Sequence, residues 1–204
     1  MAVPRRFLIA GLPAFCLAAL LASCLAACGP AGKPAFKGID ITGAEYAQAL
    51  DLPDTEGRLR HLSDFKGQVL VVFFGYTQCP DVCPTAMLEL AAVKQALGAD
   101  GARVQGVFVT VDPERDTPEV LRAYVSNFNP DFVALRGSLE ETKAAAKAFK
   151  VFFAKVPGKT EGSYTMDHTA GSYIFDESGK VRLFVRYGGG AEPLKSDLAL
   201  LLKR

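Results

Sequence analysis

Two cysteines with the spacing of a small reactive site stand four residues apart, at Cys79 and Cys83. If the segment between them forms one helical turn, the chain rises only about 6 Å and both thiols lie on the same side. Such a pair suits a soft-metal chelate or a reversible disulfide. A structural disulfide is a third alternative, but it would close a very short loop and stabilise the fold little.

The residues after the cysteines predict a helix, which Pro84 suits at the first position because proline lacks a backbone N–H. The positive end of its dipole would then point at the two cysteines. We therefore expect the thiolate form of both to be favoured, and thiolate is the form that binds soft metals or attacks a disulfide.

The chain has two histidines, His61 and His168. His61 falls in a predicted N-terminal hairpin, where an exposed or half-buried strand residue is expected. His168 falls in a predicted loop, beside Asp167, a candidate for orienting its ring. Met166 is a candidate soft ligand, although a methionine next to a site more often serves packing. Spacing alone does not bring His168 to the cysteines.

The elements that must position these residues alternate between strands and helices. The strands are predicted from β-branched and aromatic runs and from two hairpin turns. The helices are predicted from helical periodicity and from a capping box at Ser138–Glu141. The predicted strands cover residues 69–74, 104–111, 132–135, 171–175 and 181–187, with an N-terminal hairpin between residues 36 and 68. The predicted helices cover residues 84–97, a segment from Pro118, a segment from Ser138, and residues 193–203.

This order predicts an α/β domain of thioredoxin-like fold, with a central mixed sheet flanked by helices and an N-terminal hairpin. The cysteines follow the first central strand, and ligands in open α/β sheets gather beyond the carboxyl ends of strands. In such a fold the segment before the late hairpin passes close to the cysteine turn. Topology therefore makes His168 a candidate third ligand, with a structural role as the alternative.

Residues 1–28 predict a signal or lipoprotein anchor segment. Arg5 and Arg6 precede an apolar run over residues 7–21, which is near the lower length limit for a membrane-spanning helix. Residues 25–28 fit a bacterial lipobox that would lipidate Cys28, and residues 21–24 fit one that would lipidate Cys24. Cys28 is favoured because a flexible Gly/Pro tether, assigned to residues 29–45, follows it.

The domain organisation and location follow from this segment. One globular domain is expected over residues 46–204, because a chain of 204 residues with 50% hydrophobic content can bury one substantial core. We expect the protein to be exported and anchored to a membrane, on the periplasmic or extracytoplasmic face of a bacterium. A monomer is the expected oligomeric state.

Charge excludes some classes of partner. The formal net charge is +1. Without the first 27 residues it becomes −1, with 21 basic against 22 acidic side chains. No basic patch suited to nucleic acid is present, and we expect no nucleic-acid partner. The sequence also shows no phosphate-binding loop, Ser–His–Asp arrangement or four-ligand zinc set.

Three separated motifs resemble the Sco/SenC family of copper-delivery proteins. They are the run of residues 75–85, the run of residues 111–118 and Asp167–His168, within a similarity that covers roughly residues 50–204. The resemblance implies a thioredoxin-like fold that binds copper(I) or copper(II) through Cys79, Cys83 and His168. It also implies assembly of the dinuclear copper centre of cytochrome c oxidase, with the copper-receiving oxidase subunit as partner.

Two kinds of function remain open at this level. A copper metallochaperone needs two thiolates and His168 in a coordination geometry. A thiol–disulfide oxidoreductase that reduces the copper-ligand cysteines of the oxidase subunit needs only Cys79 and Cys83 as a redox-active pair, as does a redox sensor. Whether the protein is an enzyme therefore stays undecided.

Overall fold

Two parallel, fully buried strands form the centre of the fold. The computed structural model describes residues 35–203, and in it β4 (Val69–Gly75) lies inside a six-stranded mixed sheet. All seven residues of β4 are buried, as are all seven of β5 (Val104–Thr110). The strands pair in parallel from Val69 opposite Val104 to Gly75 opposite Thr110. Their carboxyl ends therefore reach the same edge of the sheet.

The remaining strands extend the sheet on both sides of this pair. The short strand β6 (Val133–Leu135) pairs in parallel with β5. On the other side β9 (Gly171–Phe175) runs antiparallel to β4, and β10 (Val181–Arg186) runs antiparallel to β9. The edge strand β1 (Ile39–Asp40) completes the order β1-β10-β9-β4-β5-β6.

Four α-helices in the described residues flank the sheet, and local sequence signals explain where two of them begin. The Thr117 side chain accepts a hydrogen bond from the backbone of Val120, and Ser138 forms a reciprocal capping box with Glu141. The helices are α1 (Val82–Ala96), α2 (Pro118–Ser126), α3 (Leu139–Phe149) and α4 (Ala191–Leu202). Helix α1 begins at Val82, two residues before Pro84, which was the predicted first residue of this helix.

The N-terminal segment contains the predicted hairpin, and also a short strand and a 3-10 helix (Leu62–Phe65) that were not predicted. Strands β2 (Leu52–Pro53) and β3 (Leu59–Arg60) pair antiparallel around the expected turn. However, β1 falls in the predicted tether, and the backbone N–H of Gly38 donates to buried Asp197 at 2.7 Å. The folded unit thus begins at Phe36. The sequence analysis placed this boundary later, at residue 46, because a two-residue strand leaves no periodic signal.

A hairpin that the sequence analysis missed carries His168. Within residues 35–203, strand β7 (Phe153–Pro157) pairs only with β8 (Tyr164–His168), and the two form a separate two-stranded sheet. The prediction that His168 lies in a loop is therefore wrong, because it is the last residue of β8 and pairs with Phe153. The polar turn over residues 158–163 was the signal that could have revealed this hairpin.

The predicted signal segment, with Cys24 and Cys28, lies outside the described residues. Within residues 35–203, no helix combines the length and the apolar character needed to cross a membrane.

A buried carboxylate fastens the start of the cysteine turn to the end of β5. Asp116 is 0% exposed and accepts hydrogen bonds from the Thr77 backbone at 3.1 Å and from the Thr77 hydroxyl at 2.6 Å. The Thr110 hydroxyl donates to the same carboxylate at 2.5 Å. Burial raises the pKa of Asp116, while the bonds from both threonines oppose that shift.

We expect Asp116→Ala to lower the free energy of unfolding by about 3 kcal/mol, because the donors of half-buried Thr77 and buried Thr110 lose their acceptor. Asp116→Asn should cost less, since its amide oxygen still accepts. Urea unfolding followed by circular dichroism measures both. The control Asp100→Ala removes an exposed ion pair with Arg103 and should change stability by less than about 1 kcal/mol. Equal effects of Asp116→Ala and the control would contradict the role of Asp116.

Candidate metal centre

The fold brings together the three residues predicted as metal ligands. One ligand atom each from Cys79, Cys83 and His168 lies within 4.8 Å of the others. The Cys83 Sγ to His168 Nε2 distance is 3.5 Å, across 85 residues of sequence. Among the described residues, these are the His, Cys, Asp and Glu side chains that form a group able to hold a metal ion.

Cys83 occupies a closely fitted position inside the domain. It is the second residue of α1 and is 0% exposed. A Cβ placed on Gly75, at the end of β4, would lie 2.8 Å from the Cys83 Sγ and 2.8 Å from the Phe73 ring. Only glycine therefore leaves room for this sulfur, a role of Gly75 that the sequence analysis did not identify.

Burial determines the protonation state of Cys83. It raises the pKa of the Cys83 thiol far above its ordinary value, and the adjacent Cys79 side chain raises it further. The expectation that the helix dipole favours thiolate is therefore wrong for Cys83, because desolvation of a buried charge outweighs the dipole. Without metal, Cys83 is a neutral thiol at physiological pH.

Cys79 lies nearer the surface than Cys83. It is half-buried, and its sulfur accepts a hydrogen bond from the backbone N–H of Cys83 at 3.4 Å. Its own backbone N–H donates to the Tyr76 carbonyl at 3.3 Å. Both cysteines are free thiols. The site thus has an outer sulfur that an approaching molecule can reach and an inner sulfur that it cannot.

The His168 ring is oriented with Nε2 toward the cysteines. Its Nδ1 lies 3.2 Å from the Thr169 carbonyl oxygen. A carbonyl only accepts, so this contact assigns the proton to Nδ1 and leaves the Nε2 lone pair free for a metal. Phe73 and Tyr76 contact the ring edge-on, with centroids 6.1 and 5.9 Å away. Burial lowers the pKa of His168, so the imidazole is neutral at pH 7.

The other candidate residues lie apart from this group or serve the fold. His61 is exposed and its Nδ1 contacts Asp51 at 2.5 Å. Met166 is buried in the hydrophobic core. Asp167 is exposed, and the Thr169 carbonyl is the partner of the His168 ring that Asp167 was predicted to be.

Two sulfurs and one imidazole nitrogen define the chemistry of the site. Thiolates are soft ligands that favour copper(I), and imidazole is a good ligand for copper in either common oxidation state. Structural zinc sites almost always have four protein ligands, which is one more than this group provides. The donor set therefore fits copper better than structural zinc.

Comparison with known proteins gives consistent matches. The SCO1/SenC family model matches residues 40–203. The SCO2-like protein RT0576 of Rickettsia typhi is 34% identical over 137 residues, which are 67% of this chain and 68% of that protein. The structure of Bradyrhizobium japonicum ScoI with copper bound is 38% identical, with a TM-score of 0.65 over 75% of this chain and 97% of that one. A SCO1/SenC family lipoprotein from Bacillus anthracis is 25% identical, with a TM-score of 0.63 over 78% and 98% of the respective chains.

The matches also define how far the similarity extends. The chain spans about two-thirds of the length of the bacterial curated relatives and about half that of the mitochondrial ones. The mixed sheet flanked by helices agrees with these structures and confirms the predicted thioredoxin-like fold. The resemblance inferred from the three motifs is likewise confirmed: this chain belongs to the SCO1/SenC family.

Proposed function

We propose that this protein binds copper through Cys79, Cys83 and His168 and delivers it to the dinuclear copper centre of cytochrome c oxidase. The observation that carries the proposal is the convergence of two sulfurs and one imidazole nitrogen within 4.8 Å. Support comes from the copper-bound ScoI structure at 38% identity. Copper is the cargo in this function, and the copper-receiving oxidase subunit is the partner.

The three ligands contribute differently to holding copper. Two thiolates alone hold copper(I), while the His168 imidazole adds a ligand that also suits copper(II). His168 is neutral with its proton on Nδ1, so it accepts metal without first losing a proton at pH 7. Cys83 must lose its proton to bind, because burial keeps it as a thiol.

A thiol–disulfide oxidoreductase is the second candidate, favoured by the free thiols and the partial exposure of Cys79. Cys79 would attack a client disulfide and Cys83 would resolve the mixed disulfide. The client then gains two electrons and two protons, and Cys79–Cys83 becomes a disulfide. A redox sensor would use the same pair. In neither case is His168 required for electron balance.

We predict that His168→Ala lowers copper affinity by at least about tenfold, since the imidazole is a direct ligand. The matched control His61→Ala, at an exposed histidine outside the site, should bind as the parent does. Competition titration of the reduced protein with a chromophoric copper(I) chelator measures both affinities. Copper(II) spectroscopy then shows whether a nitrogen atom is among the ligands.

The same pair of variants separates the two functions. Loss of copper affinity in His168→Ala, together with unchanged reduction of a disulfide substrate, supports copper delivery through a three-ligand site. Equal copper affinity in parent, His168→Ala and His61→Ala would reject His168 as a ligand. Copper(I) held weakly by the parent would leave the thiol–disulfide reaction as the better account.

Copper(I) affinity should rise with pH, because the buried Cys83 thiol must release its proton on binding. Between about pH 7 and 8 the logarithm of the affinity should increase by at least about one unit per pH unit. The pKa of His168 is lowered below its ordinary value of 6.5, so its ring is already neutral in this range. His168→Ala should therefore show the same slope. Competition titrations at several pH values measure it, and a slope near zero in the parent would contradict a protonated Cys83.

We further propose that the protein is exported and held on the extracytoplasmic side of a bacterial membrane by a lipid on Cys28. The basic residues, apolar run and lipobox of residues 1–28 support this assignment. A SCO1/SenC relative described as a lipoprotein supports it as well. An anchor of this kind would confine copper transfer to a client in the same membrane.

Replacement of Cys28 should therefore release the protein from the membrane. In the full chain expressed in a bacterium, Cys28→Ser should move most of the protein from the membrane fraction to the soluble periplasmic fraction. Cys24→Ser is the matched control and should stay in the membrane fraction. Fractionation with mass spectrometry of the mature N-terminus reads both results. Release of the protein by Cys24→Ser instead would identify Cys24 as the lipidated residue.

A further inference from the structure

The histidine of the site is carried by an element that stands outside the main sheet. Among the strands of the described part of the chain, β7 and β8 pair only with each other. Cys79 and Cys83, in contrast, lie at the junction of β4 and α1, where Cys83 is part of the core and the half-buried Cys79 packs against it. The backbone connects His168 to β9, which begins at Gly171. Side-chain contacts then determine how the rest of the hairpin lies against the domain.

A compact set of three side chains makes such contacts. The Asp112 carboxylate is 1% exposed; one of its oxygens accepts from Arg115 Nε at 2.5 Å and the other from the Tyr164 hydroxyl at 2.9 Å. Arg115 Nη1 donates to the Tyr164 carbonyl at 2.9 Å. The guanidinium also lies 3.6 Å from the centre of the Tyr164 ring. Each member of the set contacts the other two.

Arg115 also reaches the cysteine turn. Its Nη1 donates to the Gln78 side chain at 3.1 Å, next to Cys79. Its guanidinium lies 5.8 Å from the centre of the Tyr76 ring, which contacts the His168 ring edge-on. One planar cation therefore bridges the hairpin that carries the histidine and the turn that carries the cysteines. A lysine could not reproduce this combination of stacking and several directed hydrogen bonds.

We propose that Asp112, Arg115 and Tyr164 are positioning residues that hold the β7–β8 hairpin so that His168 reaches the two sulfurs. This inference rests on the proposed copper function. Cys79 and Cys83 lie outside the hairpin, in the turn after β4 and at the start of α1. Loosening the hairpin therefore removes the imidazole from the metal and weakens the hold on copper(II) more than the hold on copper(I).

Tyr164→Phe and Arg115→Lys test the proposal in the full folded domain. Tyr164→Phe removes only the hydroxyl that bonds Asp112, and Tyr46→Phe is the matched control, because its ring still packs against Lys150. We expect the copper(II) dissociation constant to rise about tenfold in Tyr164→Phe, and by more in Arg115→Lys. Nitrogen coupling in the copper(II) spectrum should weaken in both. Copper(I) affinity should fall by less than copper(II) affinity, because the two thiolates still hold copper(I).

A measurement without metal keeps the inference independent of the proposed function. In metal-free protein, the nitrogen and carbon-bound proton resonances of the His168 ring should shift in Tyr164→Phe and Arg115→Lys and stay in place in Tyr46→Phe. If the parent binds no copper, the proposed function fails, and these resonances still decide the positioning role. Unchanged His168 resonances in both variants, or equal losses of copper(I) and copper(II) affinity, would overturn it.

Discussion

The parallel pairing of β4 with β5 is the constraint on which the site depends. Parallel strands in register end at the same edge of a sheet, so Gly75 and Thr110 lie side by side there. The chain leaves β4 into the cysteine turn and leaves β5 into the loop that contains Asp116. The buried Asp116 carboxylate then bonds the two strand ends through Thr77 and Thr110. The turn is therefore held by the sheet before any metal is present.

Burial has opposite effects on the metal-binding forms of Cys83 and His168. For a thiol the charged form is the ligand, so burial disfavours the binding form and raises the pKa of Cys83. For an imidazole the neutral form is the ligand, so burial favours the binding form and lowers the pKa of His168. Burial thus keeps the Cys83 thiol protonated, while it keeps the His168 imidazole neutral and able to bind metal through its lone pair. Copper binding at this sulfur is consequently coupled to release of a proton.

The parts of this molecule that were predicted from sequence are those with local signals. The run Val69–Phe74 indicates a buried strand by composition, and the capping box at Ser138 fixes a helix start by direct hydrogen bonds. The hairpin that carries His168 was missed because neither strand is a continuous buried run and one lies largely at the surface. The protonation state of Cys83 was wrongly predicted because a helix dipole can be read from order along the chain, whereas burial depends on Gly75, Phe73 and other distant residues. The approach of His168 to the cysteines depends on the topology of the whole fold, so the spacing of residues in the sequence did not decide whether His168 is a ligand.

The unequal exposure of the ligands gives the proposed transfer a direction. Cys79 is half-buried and flanked by exposed Gln78 and Pro80, while Cys83 is 0% exposed. An incoming thiolate from a client must displace one ligand at a time, and it can approach the metal only where solvent does. We therefore propose that exchange begins at Cys79 or at the half-buried His168, while the fully buried Cys83 still holds the ion. Because Cys83 lies on the core helix and His168 on the separate hairpin, movement of the hairpin would let the imidazole leave without disturbing the inner sulfur.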